Sequence, residues 1–272
     1  MDAGKTTLSE SMLYLSGSIR KLGRVDHRDA FLDTYGLEKE RGITIFSKQA
    51  VFTWKDVDIT LLDTPGHVDF SAEMERVLQV LDCAVLVVSG ADGVQGHTET
   101  LWRLLKRYEI PAFLFVNKMD QDGTDRDSLM AELKTRFGEG CVDFSGISKG
   151  DPEALEELAF CGEEVLEEYL ETGTVSDSTI RRSVAQRKLF PCFFGSALHV
   201  QGVEELLDGL ERYTQTPQYG EEFGAKVYKI ARDDQGNRLT YLKITGGTLR
   251  VKEVLPDVEE GKPDQDLFRS KI

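Results

Sequence analysis

Apolar and polar positions follow two rhythms along the first 213 residues. Continuous apolar runs predict strands buried on both faces, at residues 83–88, 112–116 and 189–194. Apolar residues at helical spacing predict helices, at residues 7–16, 98–108 and 203–213. Two β-rich runs at residues 51–54 and 58–62 flank the polar pair Lys55-Asp56 and predict a hairpin. Because strands and helices alternate, we expect an α/β fold with a doubly wound, mostly parallel sheet.

The pattern changes twice further along the chain. Residues 151–170 are rich in Glu and have apolar residues at helical spacing, which predicts a helical insertion over about 138–188. Residues 225–231 and 238–245 flank a polar turn and predict an antiparallel hairpin. We therefore expect one domain over residues 1–217, containing the insertion, and the start of an all-β barrel over residues 222–272.

Composition and charge restrict the class of protein. No apolar run reaches the roughly 18 residues of a membrane span, so we expect no membrane segment. The four cysteines are widely spaced and lack zinc-site partners, which is typical of reduced thiols in a cytosolic protein. The net charge of −15 argues against a surface that binds nucleic acid over its whole extent, because such surfaces are usually basic.

The first chemical motif is Gly4-Lys5-Thr6-Thr7, which opens the first predicted helix. The N–H groups and the dipole at a helix N-terminus favour phosphate. Lys5 would reach the β- and γ-phosphates, and the Thr6 hydroxyl would ligate magnesium. The same residues also occur in ordinary surface loops, so this motif alone leaves both interpretations open.

The second motif is Asp63-Thr64-Pro65-Gly66-His67, at the end of the strand predicted over residues 58–62. Asp63 would hold magnesium through a water, and the unobstructed Gly66 N–H would approach a γ-phosphate. His67 would orient the attacking water. Thr44 lies on a polar stretch before this hairpin and would close onto magnesium when a γ-phosphate is present. A plain turn, a structural histidine and an ordinary loop threonine are the alternatives.

The third and fourth motifs follow two buried strands and would contact the base of a nucleotide. Asn117-Lys118-Met119-Asp120 offers a carboxylate that can accept from N1–H and N2–H of guanine, a pair of donors that adenine lacks. The stem of Lys118 would lie over the purine. Gly195-Ser196-Ala197-Leu198 would form a tight turn whose N–H groups bind guanine O6, although small residues after a strand are also common in plain loops.

Together these motifs resemble those of the translational GTPases, over residues 1 to about 255. The histidine after Asp63-Thr64-Pro65-Gly66 distinguishes that class from Ras-like GTPases, which have Gln there. Within the class, the chain is similar to elongation factor G. The stretches at residues 37–44, 92–95 and 241–249 resemble the tetracycline-resistance ribosomal-protection proteins more closely.

The resemblance implies a P-loop GTPase that binds GTP or GDP with magnesium and hydrolyses GTP. It implies a cytoplasmic monomer that acts on the ribosome and, as a full protein, dislodges tetracycline. The implied phosphate loop is Asp2, Ala3, Gly4, Lys5, Thr6 and Thr7, in which Thr7 would touch the α-phosphate and Asp2 would help to hold a monovalent cation. The implied metal ligands are Thr6, Thr44 and Asp63, with Gly66 at the γ-phosphate and His67 as the catalytic residue. The implied guanine pocket is Asn117, Lys118, Asp120, Ser196, Ala197 and Leu198, where Leu198 replaces a lysine frequent in GTPases.

The phosphate loop also departs from its full pattern. In G-x-x-x-x-G-K-T the first glycine would precede Met1, and so would the strand that feeds the loop, normally a central one. We therefore expect the first strand of the sheet to be missing, Met1 to be an internal methionine of a longer gene, and nucleotide binding by these residues alone to be weak. An elongation factor G-like translocase, a nucleotide-binding fragment without catalysis and a truncated interaction module are the alternatives.

Overall fold

The computed structural model describes residues 3–23, 48–65, 71–147, 150–233 and 235–251, with the backbone alone at residues 71–73. The strands are β1 (Lys48–Trp54), β2 (Val57–Asp63), β3 (Ala84–Ser89), β4 (Ala112–Asn117), β5 (Cys141–Asp143), β6 (Phe190–Phe194), β7 (Gly224–Arg232) and β8 (Arg238–Gly246). The helices are α1 (Lys5–Leu15), α2 (Ser71–Leu78), α3 (Gly96–Arg107), α4 (Arg126–Phe137), α5 (Phe144–Ile147), α6 (Pro152–Ala159), α7 (Glu163–Thr172), α8 (Asp177–Ala185) and α9 (Val203–Tyr213).

The central sheet has four parallel strands in the order β3-β4-β6-β5. β1 and β2 form a separate antiparallel hairpin that turns at Lys55-Asp56, as the sequence predicted. β7 and β8 form a second antiparallel hairpin. The carboxyl ends of β3, β4 and β6 lie at the same edge of the central sheet, because these strands are parallel. That edge is where open α/β sheets bind ligands.

Strand β4 shows why helices cover both faces of the sheet. Successive side chains of a strand point to opposite faces. Phe113 and Phe115 belong to a core that also contains residues of α1, β1 and α9. Leu114 and Val116 belong to a second core with residues of α2, α3 and α4. The predicted α/β class, with a parallel sheet between two helical layers, is therefore confirmed.

The Glu-rich stretch over residues 151–170 is divided into two helices, α6 and α7. Phe160, Cys161 and Gly162 separate them, and Gly162 has an extended backbone with φ 176°. The range 138–188 also contains β5, which pairs with β6 at the edge of the central sheet. The boundaries of the insertion and of the two domains stay predictions.

The hairpin of β7 and β8 packs against the end of α2 and the segment that follows it. Val77, Val80 and Tyr228 form a small buried cluster between them. The Lys243 ammonium donates to the Val80 carbonyl at 2.9 Å and to Asp82 Oδ1 at 2.5 Å. The hairpin is thus joined to the sheet domain by both apolar and polar contacts.

The four cysteines are free thiols. Burial raises the pKa of the Cys83 thiol to about 11 and that of the Cys161 thiol to about 12. Both therefore stay protonated near neutral pH, which makes them poor nucleophiles. Across the described ranges, no helix combines the length and the apolar character that crossing a bilayer requires.

Candidate functional site

Three segments of the chain meet at the carboxyl edge of the central sheet. Asn117 is the last residue of β4, Gly195 directly follows β6, and Gly4 caps the N-terminus of α1. Motifs that lie far apart in the sequence are therefore neighbours in the structure. These three segments lie in the described part of the chain.

The N-terminus of α1 is shaped by Gly4. Gly4 has the left-handed backbone angles φ 82° and ψ 35°, which glycine adopts without strain. A β-carbon at this position would lie 2.5 Å from Asn117 Nδ2, closer than atoms can approach. No acidic side chain lies in the first turn of α1, where Lys5 stands instead. This helix end therefore presents a positive environment that suits a phosphate.

Asn117 joins the helix end to the turn after β6. Its Nδ2 donates to the Ala3 carbonyl at 2.8 Å, and its Oδ1 accepts from the Ala197 N–H at 2.8 Å. The side chain is only 3% exposed. Asn117 was predicted as part of the guanine pocket, and in the structure its amide connects the loop before α1 to the turn after β6.

The backbone after Asn117 is fixed by its neighbours on both sides. The Asn117 carbonyl accepts from the Gly90 N–H at 2.7 Å, and the Met119 N–H donates to the Gly195 carbonyl at 3.0 Å. Lys118 has a positive φ of 66°, which is uncommon for a residue with a side chain. Such strain persists where the surroundings impose it, as the contacts on both sides of Lys118 do here.

The turn after β6 is closed by backbone hydrogen bonds. The Ser196 N–H donates to the Gln201 carbonyl at 3.0 Å, and the Gln201 N–H donates back at 2.9 Å. A β-carbon at Gly195 would lie 2.0 Å from the Gln201 carbonyl oxygen, so the closure requires glycine there. Ala197 is fully buried, whereas Leu198 is 39% exposed at the rim of the turn.

A serine of α1 anchors the same turn, and no motif had indicated it. The Ser11 hydroxyl donates to the Ala197 carbonyl at 2.6 Å in a buried position. Ser11 lies four residues after Thr7, whose carbonyl is 2.9 Å from the same hydroxyl oxygen and shares its single proton. Helix α1 and the turn after β6 are thereby connected at a second point besides Asn117.

Asp120 lies where the two base motifs meet. The pKa of its carboxyl is lowered, chiefly by the neighbouring Ser196 hydroxyl and also by His199 and Lys118. The Ser196 hydroxyl is buried and has no hydrogen bond of ordinary geometry within the described residues. Asp120 is thus an ionised, partly exposed acceptor, as pairing with the two N–H groups of guanine requires.

The hydroxyl of Thr6 and the carboxylate of Asp63 meet beside the N-terminus of α1. Thr6 Oγ1 donates to Asp63 Oδ2 at 2.9 Å, and Asp63 is almost fully buried at the end of β2. Magnesium prefers oxygen ligands and commonly combines one or two protein oxygens with nucleotide phosphates. The donor set formed by Thr6 and Asp63 fits a magnesium ion.

The remaining predicted residues divide into two groups. Lys5 and Thr7 lie in the first turn of α1, and Ala3 precedes it, so these residues surround the same helix end. Asp2, Thr44, Gly66 and His67 lie outside the described residues, and their roles stay predictions.

Comparison with known proteins assigns the chain to a family. Residues 1–216 match the model of the elongation factor Tu GTP binding domain. The chain belongs to this family of translational GTP-binding domains, as the order of the motifs predicted.

Comparison with individual proteins shows which translational GTP-binding proteins the chain resembles. The chain is 36% identical to the tetracycline resistance protein TetO of Campylobacter jejuni over 277 residues, covering 96% of this chain and 43% of that protein. It is 36% identical to TetW of Butyrivibrio fibrisolvens over 272 residues, covering 94% and 42%. It also resembles the crystal structure of ttk003000868 from Thermus thermophilus, with a TM-score of 0.83 and 26% identity, covering 92% of this chain and 45% of that one. The chain thus spans less than half the length of these relatives.

Proposed function

We propose that the protein binds GTP and GDP with magnesium and hydrolyses GTP. The observation that carries this proposal is the pair of hydrogen bonds made by the Asn117 amide, which holds the loops before α1 and after β6 together. Because of it, the helix end that suits phosphate and the carboxylate that suits guanine belong to one preformed site. Preorganisation of this kind lowers the cost of ordering the site when a ligand binds.

Different residues of the chain bind the base and the phosphates of the nucleotide. Asp120 accepts from N1–H and N2–H of guanine, the stem of Lys118 covers the purine, and the turn at Ser196, Ala197 and Leu198 borders the base. Adenine would leave the Asp120 carboxylate without its two donors, so a site of this type discriminates strongly against ATP. The base motifs therefore make guanine the nucleobase.

The phosphate side would bind the triphosphate and position water. Lys5 and the N–H groups at the start of α1 bind phosphate oxygens, and Thr6 and Asp63 would hold magnesium. Bound magnesium neutralises charge on the phosphates. Thr44 would close over the γ-phosphate, Gly66 would contact it, and His67 would orient the attacking water. Asp2 would help to hold a monovalent cation.

The test of nucleotide binding uses the protein expressed from its complete gene. Calorimetric titration should show GDP and GTP binding and no ADP binding at the same concentrations. His67→Ala should bind GDP as the wild type does and should hydrolyse GTP more slowly. Equal affinity for ADP and GDP would contradict the proposal, and so would unimpaired hydrolysis by His67→Ala.

We further propose that the protein is a cytoplasmic monomer that acts on the ribosome as a tetracycline ribosomal-protection protein. Similarity to TetO and TetW supports this, as both are tetracycline resistance proteins. Purified ribosomes should accelerate phosphate release, and expression of the gene should raise the tetracycline concentration that a susceptible bacterium tolerates. Asp120→Asn should abolish both effects. Ribosome-stimulated hydrolysis without any protection would favour an elongation factor G-like translocase instead.

A further inference from the structure

A histidine contacts the guanine-recognising carboxylate from the turn after β6. His199 Nε2 lies 3.5 Å from Asp120 Oδ2. His199 ends the short 3-10 turn Ala197–His199, and its N–H donates to the Ser196 carbonyl at 3.2 Å. The backbone that places this imidazole is thus the same closed turn that borders the base.

The contact between His199 and Asp120 is accessible to solvent, and protonation of the imidazole would strengthen it. The His199 side chain is 56% exposed and that of Asp120 is 31% exposed, so solvent reaches both. A separation of 3.5 Å exceeds the usual 2.7–3.2 Å of an N–H···O hydrogen bond. Histidine is the side chain that changes charge between pH 5 and 8. An imidazolium here would form an ion pair with the carboxylate, whereas a neutral ring would interact weakly.

Other ionisable groups lie on the elements next to this pair. Lys118 acts on Asp120 from the same loop, and α1, which packs against the turn of His199, carries Lys5, Glu10 and Tyr14. Among the described residues, Asp120 is the carboxylate within ion-pair distance of His199. A change in the charge of His199 therefore acts first on Asp120.

We propose that His199 makes guanine recognition proton-linked, because the imidazolium competes with guanine for the Asp120 carboxylate. This inference rests on the proposed function. The bound base offers N1–H and N2–H donors with partial positive charge, and a cation beside the same carboxylate opposes them. GDP affinity therefore falls as the pH falls, and binding of GDP releases a proton from His199 by linkage.

The effect has a limited size, since the pair is partly exposed. An exposed ion pair is worth up to about 1 kcal/mol, so we expect GDP affinity to fall about fivefold between pH 7.5 and pH 5.5. IDP lacks the exocyclic amino group of GDP and makes one contact fewer to the carboxylate. The ratio of GDP to IDP affinity therefore decreases at low pH, which a purely structural role of His199 would not produce.

The experiment is calorimetric titration of the full-length protein with GDP and IDP at four pH values between 5.5 and 8. We expect His199→Asn to bind GDP with a constant GDP-to-IDP ratio and to release fewer protons on binding GDP than the wild type does, because the nucleotide phosphate also exchanges protons in this range. His199→Lys, with a permanent charge, should bind GDP more weakly at every pH, also with a constant ratio. His97→Asn, a change of the same kind in α3, should keep the wild-type pH dependence.

The possible outcomes distinguish a failure of this inference from a failure of the proposed function. If the wild type binds GDP and His199→Asn shows the same falling ratio, the inference is wrong and the proposed function stands. If the wild type binds no GDP at any pH, both are wrong. His199→Gln serves as a second neutral variant should His199→Asn fail to fold, as judged by circular dichroism at each pH.

Discussion

The proposed site has a base side, around Asn117, Asp120 and Ala197, and a phosphate side, around Thr6 and Asp63. The two sides are held together in different ways. On the base side, Asn117, Ser11 and Met119 make hydrogen bonds of 2.6–3.0 Å to backbone groups of Ala3, Ala197 and Gly195. On the phosphate side, Thr6 and Asp63 contact each other through their side chains, with Thr6 Oγ1 donating to Asp63 Oδ2 at 2.9 Å. Backbone groups are fixed by the fold, whereas side chains can rotate to new partners.

This difference indicates where the selectivity of the site resides. Guanine recognition, as proposed, depends on the fixed separation of the Asp120 carboxylate and the turn after β6, which a rigid backbone network provides in advance. Magnesium binding, as proposed, depends on the side-chain oxygens of Thr6 and Asp63, which can exchange a protein partner for a ligand. We therefore expect damage to the base side to lower folding stability, and damage to the phosphate side to lower ligand affinity.

The largest expected effect is that of Asn117→Ala. The substitution leaves the Ala3 carbonyl and the Ala197 N–H without their partner, and each such loss costs about 1–3 kcal/mol. We expect the free energy of unfolding to fall by about 4 kcal/mol in urea denaturation. Thr53→Ala removes an exposed bond to Asp58 and serves as the control, with a loss below about 1 kcal/mol. A loss of similar size in both variants would show that the buried bonds of Asn117 stabilise the fold no more than an exposed bond does.

Gly4→Ala tests the contact between the helix end and Asn117. Both Gly4 and Gly17 have a positive φ, of 82° and 75°, but a β-carbon meets Asn117 at Gly4 and nothing within 4 Å at Gly17. Left-handed strain costs about 1–2 kcal/mol, so Gly17→Ala should lower the free energy of unfolding by about that amount. Gly4→Ala should cost about 2 kcal/mol more, because Asn117 must shift and lose a bond. Equal costs in thermal denaturation would show that the approach of Asn117 is unimportant.

Thr6→Ala should act on ligand binding more than on folding. The variant lacks the hydroxyl that would ligate magnesium, so the gain in GDP affinity on adding magnesium should shrink about tenfold or more. Thr6→Ser retains the hydroxyl and should keep most of that gain. The measurement is GDP titration with magnesium and with a chelator. An unchanged magnesium effect in Thr6→Ala would show that Thr6 is not a ligand.

The smallest effect is expected away from both sides, at the hairpin of β7 and β8. Lys243→Met removes the bonds to the Val80 carbonyl and Asp82. Because a partly exposed ion pair contributes about 1 kcal/mol at most, the free energy of unfolding in urea denaturation should fall by no more than that. GDP affinity should not change. Lys226→Met makes the same charge change on β7 and serves as the control for net charge. A loss of GDP affinity in Lys243→Met alone would show that the hairpin is coupled to the site.

Much of the sheet could be predicted because its signal is local. The apolar run at residues 112–116 corresponds to β4 (Ala112–Asn117), in which every residue is buried. The division between α6 and α7 was harder to predict, since Leu158 and Val165 are seven residues apart and the helical period continues across the break. Helix α4 was not predicted, although Asp125 caps it by accepting from the Ser128 N–H, and Leu129, Leu133 and Phe137 repeat every four residues.

The site was predictable in its residue types and less so in its contacts. Short motifs identified Gly4, Asn117, Asp120 and Ala197, because each requires a particular chemical group at a fixed spacing. The bridging role of Asn117 depends on segments 114 and 80 residues away and becomes visible only in the folded chain. His199 lies one residue beyond the fourth motif, and nothing in that motif indicates its contact with Asp120.

The most direct test of the account is the exchange of base specificity at Asp120. Asparagine in this position can accept from N1–H of xanthine and donate to its O2, whereas it cannot accept both donors of guanine. The wild-type protein should prefer GDP over XDP by about a thousandfold or more in calorimetric titration, and Asp120→Asn should reverse the preference. An unchanged preference for GDP in Asp120→Asn would show that this carboxylate does not read the base.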